Sequence, residues 1–196
     1  MPAQRKQRRA EMGAVVSVLR GRWLVVVTVT AAIAALMQEQ LPLRLGTAAA
    51  WLVLAVLGPV LSVLDMALFR LPDAIVLPAS PVVLALLAAS GSVHGSTSPL
   101  SRSLATGLAS GLVMAGLALL SHGGLGWGDV KVCAGLLGPV LGIVGWWALA
   151  ATGLLAFSSA TVAVLFLRRD RKLARIPLGP FLFGAALLVI LVNPPS

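Results

Sequence analysis

From Val130 to Leu167 the chain runs for 38 residues with a single charged side chain, Lys131. A membrane span needs roughly 17–25 apolar residues, so this run is long enough for two spans of about 19 each. Gly142 and Gly145, near its middle, permit a tight turn between them. Shorter apolar runs lie at Trp23–Met37, Thr47–Leu64, Ile75–Ala89, Leu104–Leu120 and Pro177–Val192. With the long run split, the expected fold is all-α: a polytopic membrane protein of about seven transmembrane helices. The runs are continuous Leu, Val and Ala stretches rather than alternating segments, which argues against a β-barrel. The chain is 59% hydrophobic and only 11% charged, far from a soluble average;.

Where the charges fall sets the expected orientation. With the N-terminus on the cytoplasmic side, the inner loops are 1–22, 65–73, 121–131 and 168–176. They carry thirteen of the fifteen basic residues, leaving only Arg44 and Arg102 outside. That asymmetry is the positive-inside pattern. The net charge of +9 therefore reads as flanks of membrane spans, not as a nucleic-acid surface;. Residues 1–22 form a basic cytoplasmic segment and 23–193 the membrane domain. The first run, "WLVVVTVTAAIAALM", is short and follows a basic region as a signal peptide would, but a retained signal-anchor is the favoured reading. Trp23, Trp127, Trp146 and Trp147 fall near span ends, where indoles favour the interface. The lone cysteine, Cys133, precludes an intramolecular disulfide and a zinc site built on several cysteines;.

Six residues are acidic. Glu11, Glu39 and Asp170 have hydrophilic neighbours and read as solvated charges. Asp65, Asp73 and Asp129 instead sit at span ends on one expected face. Asp73 and Asp129 stand at helix starts, where a carboxylate can cap free N–H groups. Asp65 ends its helix, where the dipole disfavours an anion. Beside Asp129 lies "GGLGWGDVK", four glycines in six residues followed by a carboxylate and a lysine. On these residues alone, helix capping and a functional acid pair stand level. A pair would have a clear chemistry: two adjacent carboxylates share one proton, one accepting from water and the other donating to a carbonyl. Neither a metal nor a cofactor is required. The glycines would let an extended peptide approach and pair with the loop backbone.

"GGLGWGDVK" resembles the G-x-G-D signature of intramembrane aspartyl peptidases, in the form used by type IV prepilin peptidases. "DMALFRLPDAIVLP" resembles that family's stretch in which an aspartate precedes an L-P-D/N element, and "RIPLGPFLFGA" its late I-P-[FL]-G-P segment. The three motifs stand in the family's order across about residues 58–186. The resemblance implies catalytic Asp65 and Asp129, with Asp73, Gly126, Gly128, Lys131, Pro177, Gly179 and Pro180 supporting the site or binding substrate. It implies no cofactor, a place in the bacterial cytoplasmic membrane, and a prepilin or pseudopilin partner whose basic leader is cut on the cytoplasmic side. The cysteine-rich domain of the larger, methylating members has no counterpart here, so the expectation is peptidase activity alone, as in the short enzymes of tight-adherence pilus systems. Ile75 and Val76 depart from the residues usual after L-P-D. The presenilin branch fits worse, since Tyr is absent.

His94 reads as a solvated loop residue, His122 as a neighbour of the glycine loop, and no G-x-S-x-G elbow supports a serine hydrolase. Lys131 is a candidate for stabilising the acid pair or binding a lipid phosphate. Two further readings keep the acids but give them another role. One is cleavage of some other signal-like membrane peptide; the other is a scaffold or small transporter that binds protons or cations. Small residues are frequent enough for a homodimer, although no single G-x-x-x-G face stands out.

Overall fold

The computed structural model describes residues 2–38, 45–68, 71–93, 98–121, 125–167 and 177–193. The expected basic loop around 168–175, together with Glu39, Arg44, His94, His122 and Asp170, lies outside them. All regular structure among the described residues is helical. The helices are α1 (Pro2–Gln38), α2 (Leu45–Leu68), α3 (Asp73–Val93), α4 (Ser98–Leu120), α5 (Trp127–Val144), α6 (Trp146–Leu167) and α7 (Gly179–Val192).

Several boundaries follow directly from residue chemistry. The long apolar run breaks at Gly145, whose φ of 142° is a conformation that side chains other than glycine rarely adopt;. Gly142, the other candidate for the turn, stays inside α5. The basic segment is helical as well, and α1 departs from helical geometry at Arg22 (φ −126°, ψ 15°), where the expected segment ends. Helix α3 tolerates Pro78 and Pro81 in its first half, and α2 carries Pro59.

Among the described residues five stretches are long and apolar enough to cross a membrane: Gly13–Ala35, Thr47–Leu68, Leu100–Leu120, Trp127–Val144 and Trp146–Phe166. Two of the seven expected spans, now Asp73–Ala89 and Gly179–Val192, are shorter apolar helices. The outer surface is apolar, with Leu108, Leu112, Leu119, Leu154, Leu165 and Phe166 all exposed. Four hydroxyls turn inward, Ser103, Thr106, Ser110 and Thr152, whereas the exposed Ser158, Ser159 and Thr161 of α6 donate to carbonyls of their own helix. An apolar exterior over an apolar core suits a lipid environment, where apolar side chains need no shelter;. Trp23, Trp127, Trp146 and Trp147 are exposed at helix starts or just past the α1 irregularity, whereas Trp51 is fully buried.

Helix α5 lies against α3, α4 and α6 and also touches α2 and α7. Its contact with α4 is a seam of small residues. Gly107 and Gly111 of α4 receive Ala134, and Gly138 of α5 lies against Ser110 and the Gly107 backbone. Within this seam α5 makes a π-helical turn, Cys133–Leu137, in which the Gly138 N–H donates to the Cys133 carbonyl. The same carbonyl accepts from Ser110 Oγ at 2.8 Å, and Ser110 also donates to Gly107 O at 2.9 Å. Two G-x-x-x-G pairs, Gly107/Gly111 and Gly138/Gly142, are thus used inside the chain.

A Cβ on Gly138 would meet backbone atoms on both sides, Cys133 O at 2.7 Å and Gly107 Cα at 2.7 Å. Gly116, on the same α4, faces open space. Gly138→Ala should therefore lower stability by about 1–3 kcal/mol through overpacking, while Gly116→Ala should leave it unchanged or raised by about 0.5–1 kcal/mol. Thermal unfolding of both variants in detergent measures the difference; equal stability would mean that the seam is not tightly packed.

Candidate active site

Asp65 lies on the buried stripe of α2 that runs through Trp51, Leu54, Leu61 and Leu64. Helical spacing along that stripe turns its carboxylate inward, and the side chain is only 6% exposed;. Alone, it would be an anion at the wrong end of its helix. The structure supplies the missing partner. The backbone N–H of Gly179, at the start of α7, donates to Asp65 Oδ2 at 2.8 Å. Asp65 is thus at the C-terminal end of α2 but at the N-terminal end of α7, where the dipole favours it. Gly179 is required for this approach, since a Cβ there would sit 2.8 Å from Oδ2. The next residue, Pro180, has no N–H, which leaves Gly179 as the donor of that first turn;. Pro177, just before α7, is half-buried.

Asp129 is the third residue of α5 after its N-cap, Gly126. Its N–H donates to Gly126 O at 3.1 Å, and its carboxylate folds back toward the Gly126 backbone N–H. This is half of a capping box, with glycine in place of the usual Ser or Thr. The missing side chain leaves room: a Cβ on Gly126 would lie 3.3 Å from Asp129 Oδ2. Gly128 plays a comparable part, seating the first turn of α5 against Leu71, whose Cβ would be 2.9 Å from an added Cβ. Asp129 is 8% exposed, and its Oδ1 has no hydrogen-bond partner. The Asp65 and Asp129 carboxylates are close enough for their charges to act on each other.

Two acids 64 positions apart in sequence therefore meet at the starts of α5 and α7. Asp73 does not join them. It is exposed in the first turn of α3, and both its oxygens accept from Lys131 Nζ at 2.7 Å. Lys131 thus pairs with Asp73 and not directly with either member of the acid pair. The start of α3 is closed instead by Pro72, whose carbonyl accepts from Ile75 and Val76 N–H at 3.0 and 3.3 Å. All seven supporting positions lie in the segments that lead into or begin α3, α5 and α7.

Some contributors were invisible in the motifs. Ser121 Oγ accepts from Leu125 N–H at 3.1 Å and so ties the two ends of the glycine loop. Its only sequence signal is a serine at the end of an apolar run. Leu71, within L-P-D, matters as the surface on which Gly128 rests. Among the described residues no three His, Cys, Asp or Glu side chains are grouped to hold a metal ion. Comparison of the chain with protein-family models, curated proteins and solved structures returns no match in any of the three.

The hydrogen bond from Gly179 makes a separable prediction about stability. Asp65→Asn keeps an oxygen acceptor and removes one of two neighbouring buried carboxylates, so its thermal midpoint should equal or exceed the wild type's. Asp65→Ala leaves a buried N–H unpaired and should be less stable than Asp65→Asn by about 1–3 kcal/mol. If thermal unfolding shows the two variants equal, the Gly179 contact does not hold the carboxylate.

Proposed function

We propose that the chain is a membrane aspartyl endopeptidase that removes the basic leader of type IV prepilins or pseudopilins. In this reading it is a multi-pass protein of the bacterial cytoplasmic membrane with its N-terminus inside. Seven helices cross or enter the bilayer, and the acid pair lies at the cytoplasmic face. The observation that carries the reading is the meeting of Asp65 and Asp129, both more than nine-tenths buried, at two helix starts bordered by glycine. Its further support is the likeness of the three sequence segments around those helix starts to the prepilin-peptidase motifs.

The chemistry needs only these two side chains and water. One carboxylate, ionised, takes a proton from a water molecule as its oxygen attacks the scissile carbonyl carbon. The other, protonated, donates to the carbonyl oxygen and lowers the cost of the developing charge. Collapse of the tetrahedral intermediate breaks the C–N bond, and a proton passes to the leaving amine. The substrate must arrive extended, because a helix hides its own carbonyls and N–H groups in hydrogen bonds. Gly126, extended and exposed just before α5, borders the approach of such a segment to the acids;. Methyl transfer to the new amine is not part of the proposal.

The test is cleavage of a co-expressed prepilin, followed by immunoblot, for the wild type, Asp65→Asn and Asp129→Asn. The wild type should cleave, and each variant should lose at least about 100-fold in rate at equal membrane abundance, the scale of a lost acid or base. Cleavage retained in either variant would remove that residue from the dyad. A wild type that cleaves no pilin-like substrate would overturn the peptidase reading in favour of a proton- or cation-binding protein, to be tested by uptake in liposomes.

A further inference from the structure

Asp129 is carried by a short piece of helix, Trp127–Val132, with unusual connections at both ends. Before it comes the glycine loop. After it comes the π-helical turn Cys133–Leu137, and only beyond that turn does ordinary α-helix resume. A π-turn holds one residue more than the α-helical register, so its relaxation would turn the preceding piece by about 100° and slide it about 1.5 Å. The packing of α5 on α4 through Ala134 and Gly138 therefore does not by itself fix the direction of Asp129. Something on the far side of the π-turn must.

That piece itself packs on α4 and buries Val132 in the core, and further contacts reach it from the α3 side. Gly128 rests on Leu71, and Lys131 meets Asp73. Lys131 follows Asp129 by two positions, so it projects from a different face of the helix: Asp129 is buried, while the Lys131 side chain is 40% exposed. Both oxygens of Asp73 are engaged by the one ammonium group at 2.7 Å, across a sequence separation of 58 residues. The ion pair joins the start of α5 to the start of α3 on the side away from the acids.

We propose that Asp73 and Lys131 are positioning residues whose ion pair latches the first turns of α5 to α3 and so fixes where Asp129 stands relative to Asp65. The consequence for cleavage rests on the peptidase reading; the geometric claim does not.

Cys133 offers a native probe of the latch. It is the chain's one cysteine, is buried, and opens the π-turn four residues after Asp129. In membranes holding the full chain, its alkylation by a small permeant maleimide reports whether the start of α5 has come away. Asp73→Lys and Lys131→Asp should each speed labelling about five- to tenfold and slow leader cleavage by a similar factor, on the scale of a lost, partly exposed ion pair made repulsive. The double exchange restores opposite charges and should return both readouts to within about twofold of wild type. Labelling unchanged in the single variants would overturn the proposal. So would single variants that respond while the double exchange, at wild-type abundance, does not recover. If labelling follows the expected pattern but no chain, wild type included, cleaves a leader, the latch stands and the peptidase reading falls.

Discussion

Burying two carboxylates beside each other is costly, and much of the chain's local structure answers that cost. Each acid is set against the N-terminal end of a helix, the one place in an apolar bundle where backbone N–H groups are free and the dipole favours negative charge. Asp65 reaches across from α2 to the start of α7, while Asp129 folds over the start of its own helix. The approach of Asp65 needs Gly179, and Gly126 leaves Asp129 room. What remains unmet is Asp129 Oδ1, a buried acceptor with no partner. An unsatisfied polar atom in such a setting is expensive.

The surrounding helices keep this arrangement in register. Helix α5 is pinned along one length by the α4 seam, where glycine, alanine and serine bring two backbones together without any hydrophobic drive from water. The π-turn takes up the mismatch between that seam and the position demanded of Asp129. The ion pair of Asp73 and Lys131 closes the other side. Around this core the exposed Leu, Val and Phe side chains of α4 and α6 face outward, as on a lipid-facing surface.

Much of this was legible in the sequence because membrane spans announce themselves by length and composition. The helical class, a break in the long run near Gly142 and Gly145, and the placing of Asp65, Asp73 and Asp129 at helix ends followed from apolar runs and the placing of charges. What escaped was set by contacts between distant segments. The partner of Asp65 is a backbone N–H at Gly179, and no side-chain pattern announces a backbone donor. Asp73 looked like a cap because of its place at a helix start, but its oxygens go to Lys131 of α5. The paired G-x-x-x-G segments were hidden among many small residues, and only packing shows that they face each other within one chain. The π-turn at Cys133–Leu137 has no signature in residue type. Of the two shortest expected spans, Ile75–Ala89 lies within a longer helix, Asp73–Val93, and the last is a helix of 14 residues, Gly179–Val192.

The central claim is that Asp65 and Asp129 stand together in the folded membrane protein. Its most direct test replaces both with cysteine in a Cys133→Ser background and treats native membranes with a short bifunctional thiol reagent. Mass spectrometry should then find a linked product joining the peptides that carry positions 65 and 129. Cysteines that each react with a monofunctional reagent but never become linked would contradict the account.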